Sequence, residues 1–385
     1  MIKSKVILFH PRTQHEKNYR HFHVPYSLLS LASVVDEEMF ELLIIDNNLE
    51  NEVDFSEIIK NNLSNLLCVG VSAMIGKQIE DGLLFSKSIR KFNPKIPIIW
   101  GGPLTTFLPN ETIQNEFIDI IVIGQGEITF KELLFALMNK TPLNKINGIL
   151  FKENNIVYET EKREIINIDL FPNYKNTYKL INLPEYIRSD EHINTRTISY
   201  HSSQGCVYSC GFCCEIPLWE KKWSSFSVNK IIYDIEYLIK QCNINGIKFY
   251  DSEFFINKNR VLEFVNTIIE KKINIKWYAS VHPNNLIKYN DNEFELLKLS
   301  GLSRLLIGAE TAIEEELKLI GKKTQKKTII DLAKKCSVYK IHACFTFITG
   351  YPKTTSENIL ETIDFANQLR IIDSEHECKI HFYAP

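Results

Sequence analysis

The stretch Ser203-Gln204-Gly205-Cys206-Val207-Tyr208-Ser209-Cys210-Gly211-Phe212-Cys213-Cys214 decides how this chain is read. Cys206, Cys210 and Cys213 stand in a C-x3-C-x2-C spacing. They follow directly on an apolar run at 198–202 that reads as a buried strand. The thiols therefore sit in a loop at a strand C-terminus. Thiolates bind iron or zinc. Three of them on a short loop hold three irons of a [4Fe–4S] cube and leave the fourth iron open to a ligand, which points to chemistry as well as structure. The plainer readings are a structural zinc loop or inert buried cysteines. A zinc loop needs a fourth ligand at matching spacing, and the nearby His201 lies on the predicted strand.

Working outward, the cysteine loop opens a series of strands and helices. Strands are expected at 198–202, 247–250, 275–279, 304–308, 343–349 and 379–382. Helical periodicity fills the intervals at 227–242, 258–272, 292–300, 312–319, 326–340 and 355–369. Six such units predict a partial (β/α)6 TIM-type barrel, in which chemistry sits at the strand C-terminal ends. His201 and His282 fall near strand ends and are read as structural.

Upstream, the first 140 residues alternate between the same two periods. Strands at 6–9, 40–46, 67–71, 96–100 and 118–123, with helices between them, predict an α/β doubly wound parallel sheet. Three strand ends are rich in small residues: Val69-Gly70-Val71-Ser72-Ala73, Gly101-Gly102-Pro103 and Gly124-Gln125-Gly126-Glu127. Such loops on one sheet edge make a groove for a large flat ligand, since backbone N–H groups there reach a ligand unhindered. The expected organisation is a domain at 1–145, a hairpin and linker at 146–195, and the barrel at 196–385. His10, His15, His21 and His23 cluster near the start without matching thiolates or carboxylates and are read as a solvated loop.

Composition sets the outer bounds. At 385 residues the chain has length for two or three domains. A 44% hydrophobic share excludes a disordered chain. With 45 basic against 47 acidic residues, no basic field points to nucleic acid. No apolar run reaches the ~18–20 residues of a membrane span. The N-terminal apolar stretch meets His10-Pro11-Arg12 too soon for a signal peptide, so a cytoplasmic protein is expected. Its nine cysteines are then not expected to be disulfides.

The cysteine spacing, with Phe212 just before the last cysteine, resembles the radical S-adenosylmethionine superfamily. Cys214 offers a second register from Cys210, but the aromatic at 212 favours Cys213. The resemblance implies that Cys206, Cys210 and Cys213 are the catalytic metal ligands. The open iron chelates S-adenosylmethionine, and its reductive cleavage yields a 5′-deoxyadenosyl radical. Tyr250-Asp251-Ser252-Glu253 looks like the family's motif for the cofactor's amino group, without the usual paired glycines. Glu310 stands in a segment similar to Gly-x-Glu-Ser, and Gly350 in one similar to Gly-x-Pro. Both are implied cofactor contacts, as is Phe212.

The N-terminal sheet resembles the cobalamin-binding domain of cobalamin-dependent radical S-adenosylmethionine enzymes. Gly-Gln-Gly-Glu at 124–127 closely matches the family's Gly-Glu-Gly-Glu, whereas Gly-Gly-Pro-Leu at 101–104 departs from Gly-Gly-x-His. Ser72, Gly101, Gly102, Gly124, Gln125, Gly126 and Glu127 are the implied cobalamin contacts. No Asp-x-His-x-x-Gly motif is present to supply a lower cobalt ligand. The resemblance implies a methyltransferase acting on an unactivated carbon of a small molecule or peptide, with flavodoxin or ferredoxin as electron donor. Three alternatives stand beside it. One is a non-methylating rearrangement or cyclisation. Another is a methylthiotransferase, which needs three more N-terminal cysteines where only Cys68 precedes residue 206. The third is a non-enzymatic cobalamin or metal sensor. Relatives usually continue past the sixth barrel strand, so a truncated product or a short member is expected at Pro385.

Overall fold

The computed structural model describes residues 2–13, 23–49, 55–190 and 195–383. His15 and His21 of the N-terminal histidine cluster lie outside them. The chain forms two compact units, Met1–Tyr186 and Ile187–Pro385.

The first unit is built on seven strands: β1 (Ser4–His10), β2 (Phe40–Asp46), β3 (Leu66–Ser72), β4 (Ile98–Gly101), β5 (Ile120–Val122), β6 (Ile149–Glu153) and β7 (Ile156–Glu159). Their order is β2-β1-β3-β4-β5-β6-β7. The first five pair parallel. The sequence reason is visible along β1. Ile7 and Phe9 enter one core with Val69, Val71, Ile98 and Trp100. Val6 and Leu8 enter a second core with Cys68, Ile99, Phe130 and Leu133. A strand buried on both faces must be apolar throughout, and helices cover the two sides.

The hairpin expected after residue 145 forms. β6 pairs antiparallel with β5, and β7 with β6, so both extend the first sheet. The expected linker is mostly part of this unit. Tyr174, Tyr178 and Tyr186 are fully buried, and the Tyr186 hydroxyl donates to Asp46 Oδ2 at 2.9 Å. The stretch 160–186 carries weak periodicity because 3-10 turns and single buried aromatics hold it down.

The second unit has a seven-stranded sheet of β8 (Arg188–Asp190), β9 (Thr195–Tyr200), β12 (Gly246–Phe249), β13 (Lys276–Val281), β14 (Leu302–Glu310), β15 (His342–Thr349) and β16 (Glu377–Phe382). Between β9 and β12 lies a small antiparallel pair, β10 (Ser203–Gly205) and β11 (Trp223–Ser225). The large sheet runs β16-β15-β14-β13-β12-β9-β8, in unbroken chain order from β12 on, and curls as a half-barrel. The six expected strands are all present and parallel. β8 was not expected; it adds an antiparallel edge. Behind the sheet, Phe249, Phe254, Phe264 and Trp277 pack edge-to-face. No helix among the described residues is long and apolar enough to cross a membrane.

Candidate functional site

The cysteine loop leaves β10 at Gly205, where the backbone turns at φ +81°. A Cβ there would stand 2.1 Å from the Lys222 carbonyl oxygen, so only glycine fits. Cys210 is buried, while Cys206 and Cys213 are half-buried. Burial pushes the Cys206 thiol up to about 11, and the neighbouring Cys213 and Cys210 thiols add to this. Cys213 is lowered, first by a hydrogen bond from Cys214, whose own thiol is raised. The three thiols thus sit close enough to feel each other's charge. Among the described residues no three His, Cys, Asp or Glu side chains converge on a single ion. A four-iron cube takes one thiolate on each of three irons, and three neighbouring thiols on one loop supply that donor set. The donor set and its setting fit the cluster.

Two tethers hold the second half of the loop. Gly211 N–H donates to the Ile320 carbonyl at 2.8 Å. Phe212 packs with Leu317, Ile320 and Tyr351.

The acidic turn after β12 divides into two roles. Asp251 is 1% exposed and fully engaged inside the unit. It accepts from Ser202 N–H at 2.7 Å, Ser202 Oγ at 2.5 Å and Ser203 Oγ at 2.6 Å. The Arg260 guanidinium stands 3.9 Å away and donates to Ser202 Oγ at 2.5 Å. Asp251 therefore braces the start of the cysteine loop. Glu253 is also buried, and its carboxylate accepts from the Phe255 N–H at 2.8 Å and from the His282 N–H. Burial pushes it up to about 8 despite those donors. Ser252 is exposed and Tyr250 half-exposed, with the Lys248 ammonium 4.4 Å from the Tyr250 ring centre.

Glu310 ends β14 at φ +64°, beside an irregularity in the β14–β15 register. Its Oε1 accepts from Lys322 Nζ at 2.6 Å, and both side chains are buried. This pairing, unforeseen from sequence, directs the carboxylate at Lys322. Gly350 lies past β15 at φ +82°, and nothing stands within 4 Å of where its Cβ would be. That open face suits close approach of a flat ligand.

Residues distant in sequence also meet the cysteine loop. His282 stacks on Tyr208, with ring centres 3.8 Å apart and planes 9° from parallel. The Tyr208 hydroxyl donates to Asn285 Oδ1 at 2.7 Å. Lys322, His282 and Asn285 are far from the cysteines in sequence, so no local motif marks them.

In the first unit the small-residue loops fall at the C-terminal edge of the parallel strands, as expected. Gly102 sits at φ +100°, where a Cβ would meet the Ala73 carbonyl oxygen at 2.8 Å. Gly124, at φ +72°, faces open space, an accessible cradle. Gly101 and Gly126 line the same edge, half-buried, with Ser72, whose hydroxyl donates to Ser27 Oγ at 3.2 Å. Gln125 and Glu127, on the same turn, have buried side chains. Gln125 is buried and bridges the backbone of Ile166, accepting at 2.8 Å and donating at 3.0 Å. Glu127 is buried and accepts from Ser30 Oγ at 2.5 Å. These bonds tie the turn to the rest of the unit. At the end of β1, His10 Nδ1 is 3.1 Å from Asp46 Oδ1, so this imidazole is held within the unit. The small-residue rim fits a corrin.

Fold and site together define a two-part α/β protein: a doubly wound ligand-binding sheet and a half-barrel with a thiolate loop at its first strand end. Comparison places that class within a family. Residues 200–366 match the model of the radical SAM superfamily and residues 17–134 that of the B12 binding domain. An uncharacterised methyltransferase of Pyrococcus horikoshii is 31% identical over 351 residues, covering 90% of this chain and 74% of the relative. The solved radical S-adenosylmethionine methyltransferase TsrM from Kitasatospora setae, with cobalamin and a [4Fe–4S] cluster bound, superposes with a TM-score of 0.79. It is 16% identical, and the match covers 99% of this chain and 72% of TsrM. The cobalamin-dependent S-adenosylmethionine radical enzyme OxsB superposes with a TM-score of 0.77 at 22% identity. That match covers 94% of this chain but 52% of OxsB, so the chain spans about half of that enzyme. The chain belongs to the radical S-adenosylmethionine superfamily, in the branch with an N-terminal cobalamin-binding domain. Its cofactors are a [4Fe–4S] cluster, S-adenosylmethionine and cobalamin.

Proposed function

We propose that this chain is a methyltransferase that places a methyl group on an unactivated carbon of a small molecule or peptide. One observation carries the reading. A single chain joins a three-thiol loop at a half-barrel strand end to a parallel sheet rimmed by Ser72, Gly101, Gly102, Gly124 and Gly126. The methyltransferase names of the pyrococcal relative and of TsrM support it.

When bound, the cluster supplies the electron that cleaves S-adenosylmethionine, and cobalamin supplies a methyl group that a carbon radical can take. This chain's residues bind, orient and exclude water. Cys206, Cys210 and Cys213 hold the iron. Glu253, near the loop, would meet the cofactor's ammonium through its buried carboxyl group, and Phe212 and the Gly350 backbone would help to hold the cofactor. Asp251 and Lys322 act one layer back, fixing the loop and Glu310. A small reductant protein such as flavodoxin or ferredoxin delivers the electron, in the cytoplasm.

The test is product analysis. Anaerobically reduced protein is given S-adenosylmethionine and candidate substrates. Methyl transfer predicts both S-adenosylhomocysteine and 5′-deoxyadenosine, with a methylated product. Formation of 5′-deoxyadenosine alone would assign a rearrangement or cyclisation instead.

A further inference from the structure

The first half of the cysteine loop, between Cys206 and Cys210, has its own support. Val207 is exposed and Ser209 half-buried, so the packing of this half falls on Tyr208. Its ring lies flat against His282 and its hydroxyl is bonded to Asn285.

His282 is held unusually firmly. Its backbone N–H donates to Glu253. Asn284 N–H donates to His282 Nδ1 at 3.2 Å, so Nδ1 is the acceptor nitrogen. The proton is then on Nε2, which donates to the Lys322 carbonyl at 2.9 Å. Two ring bonds and one backbone bond leave the imidazole a single orientation. The segment carrying Lys322 also presses on the loop directly. A Cβ on Gly321, at φ +70°, would stand 2.8 Å from the Ser209 carbonyl oxygen. The acidic turn after β12 and the segment after β14 therefore meet at one residue past the end of β13, and its ring meets the loop through Tyr208.

We propose that His282 is a positioning residue for the iron cluster. By fixing the plane of Tyr208, it sets the separation of Cys206 and Cys210 and so the geometry of two of the three thiolates. His282 touches neither iron nor substrate in this role. The two rings are in parallel contact over their faces, so a change in the plane of one moves the other. The inference rests on the reading that the three cysteines hold a cluster.

The test compares wild type with His282→Ala, Tyr208→Leu and Tyr208→Phe after anaerobic reconstitution. Iron per chain, the electron paramagnetic resonance spectrum of the reduced cluster and the rate of iron loss to a chelator are read for each. Tyr208→Phe keeps the stack, so it is expected to match wild type within about twofold, while His282→Ala and Tyr208→Leu lose iron about fivefold faster or more, since a stacked pair is gone. Both are also expected to give a shifted or broadened spectrum, which a loss of general stability would not produce. If His282→Ala does not fold, Tyr208→Leu decides, because Tyr208 is only half-buried. Wild-type spectra and release rates in Tyr208→Leu or His282→Ala overturn the proposal. Failure of wild type itself to take up iron would instead refute the cluster reading.

Discussion

Replacing Lys322 with methionine tests the energetics of the site through one buried bond. Lys322 Nζ lies 2.6 Å from Glu310 Oε1, with side chains 8% and 6% exposed. Solvent screening is therefore weak, and the pair is not of the surface kind worth little. Gly308 shows how closely the pair is fitted. A Cβ there would stand 2.4 Å from Glu310 Oε1 and 2.6 Å from Lys322 Nζ. Methionine fills much of the lysine volume but strands the Glu310 carboxylate. Breaking a buried pair by removing one partner costs about 3–5 kcal/mol. For a unit of this size each kcal/mol is worth about 2–4 °C, so melting should fall by roughly 10 °C. Urea unfolding of metal-free protein, followed by tryptophan fluorescence, measures the loss; the second unit holds Trp219, Trp223 and Trp277. The double variant Lys322→Met, Glu310→Gln should recover at least half of it, since both charges are then gone. A loss under about 1 kcal/mol in the single variant would refute the claim that this pair is buried and mutually dependent.

Two further outcomes follow from the same geometry. Glu253 has its folded-state value raised to about 8 against 4.5 when unfolded. The folded form thus holds a proton that the unfolded form releases between those values. Stability of the metal-free protein should fall as pH rises from about 4.5 to 8, by up to ~1.4 kcal/mol per pH unit. Glu253→Gln should flatten that slope, and an unchanged slope in urea titrations across pH would contradict the assignment. Gly102→Ala introduces a Cβ at φ +100° against the Ala73 carbonyl. This should cost the first unit about 1–3 kcal/mol or more and weaken cobalamin retention on gel filtration, with iron uptake by the second unit unchanged.

Much of this was legible in the sequence, for physical reasons. A parallel strand buried on both faces has to be a continuous apolar run, so β1, β3 and β15 announce themselves, and the glycines at φ > 0° mark where loops turn. The cysteine loop was legible because three iron ligands on one loop require close spacing. The parts that escaped act at a distance or are short and polar. β8, β10 and β11 are three residues each, too short for periodicity. His282 and Lys322 reach the cysteine loop only through the curl of the sheet, 40 residues apart from each other in the chain. The bonds that Gln125 makes to the Ile166 backbone and Glu127 to Ser30 were not legible, because their partners lie 41 and 97 residues away in the chain. The bonds from Ser202 and Ser203 to Asp251 escaped for the same reason, since they join positions 48 or 49 residues apart.

The most direct test of the account is the metal and corrin content of anaerobically purified protein. The account predicts about four irons per chain with absorbance near 400 nm, as for a four-iron cluster, together with bound cobalamin. It also predicts that Cys210→Ser abolishes the iron and leaves the cobalamin, since the two sites belong to different units. Colourless protein carrying a single zinc and no corrin would contradict it.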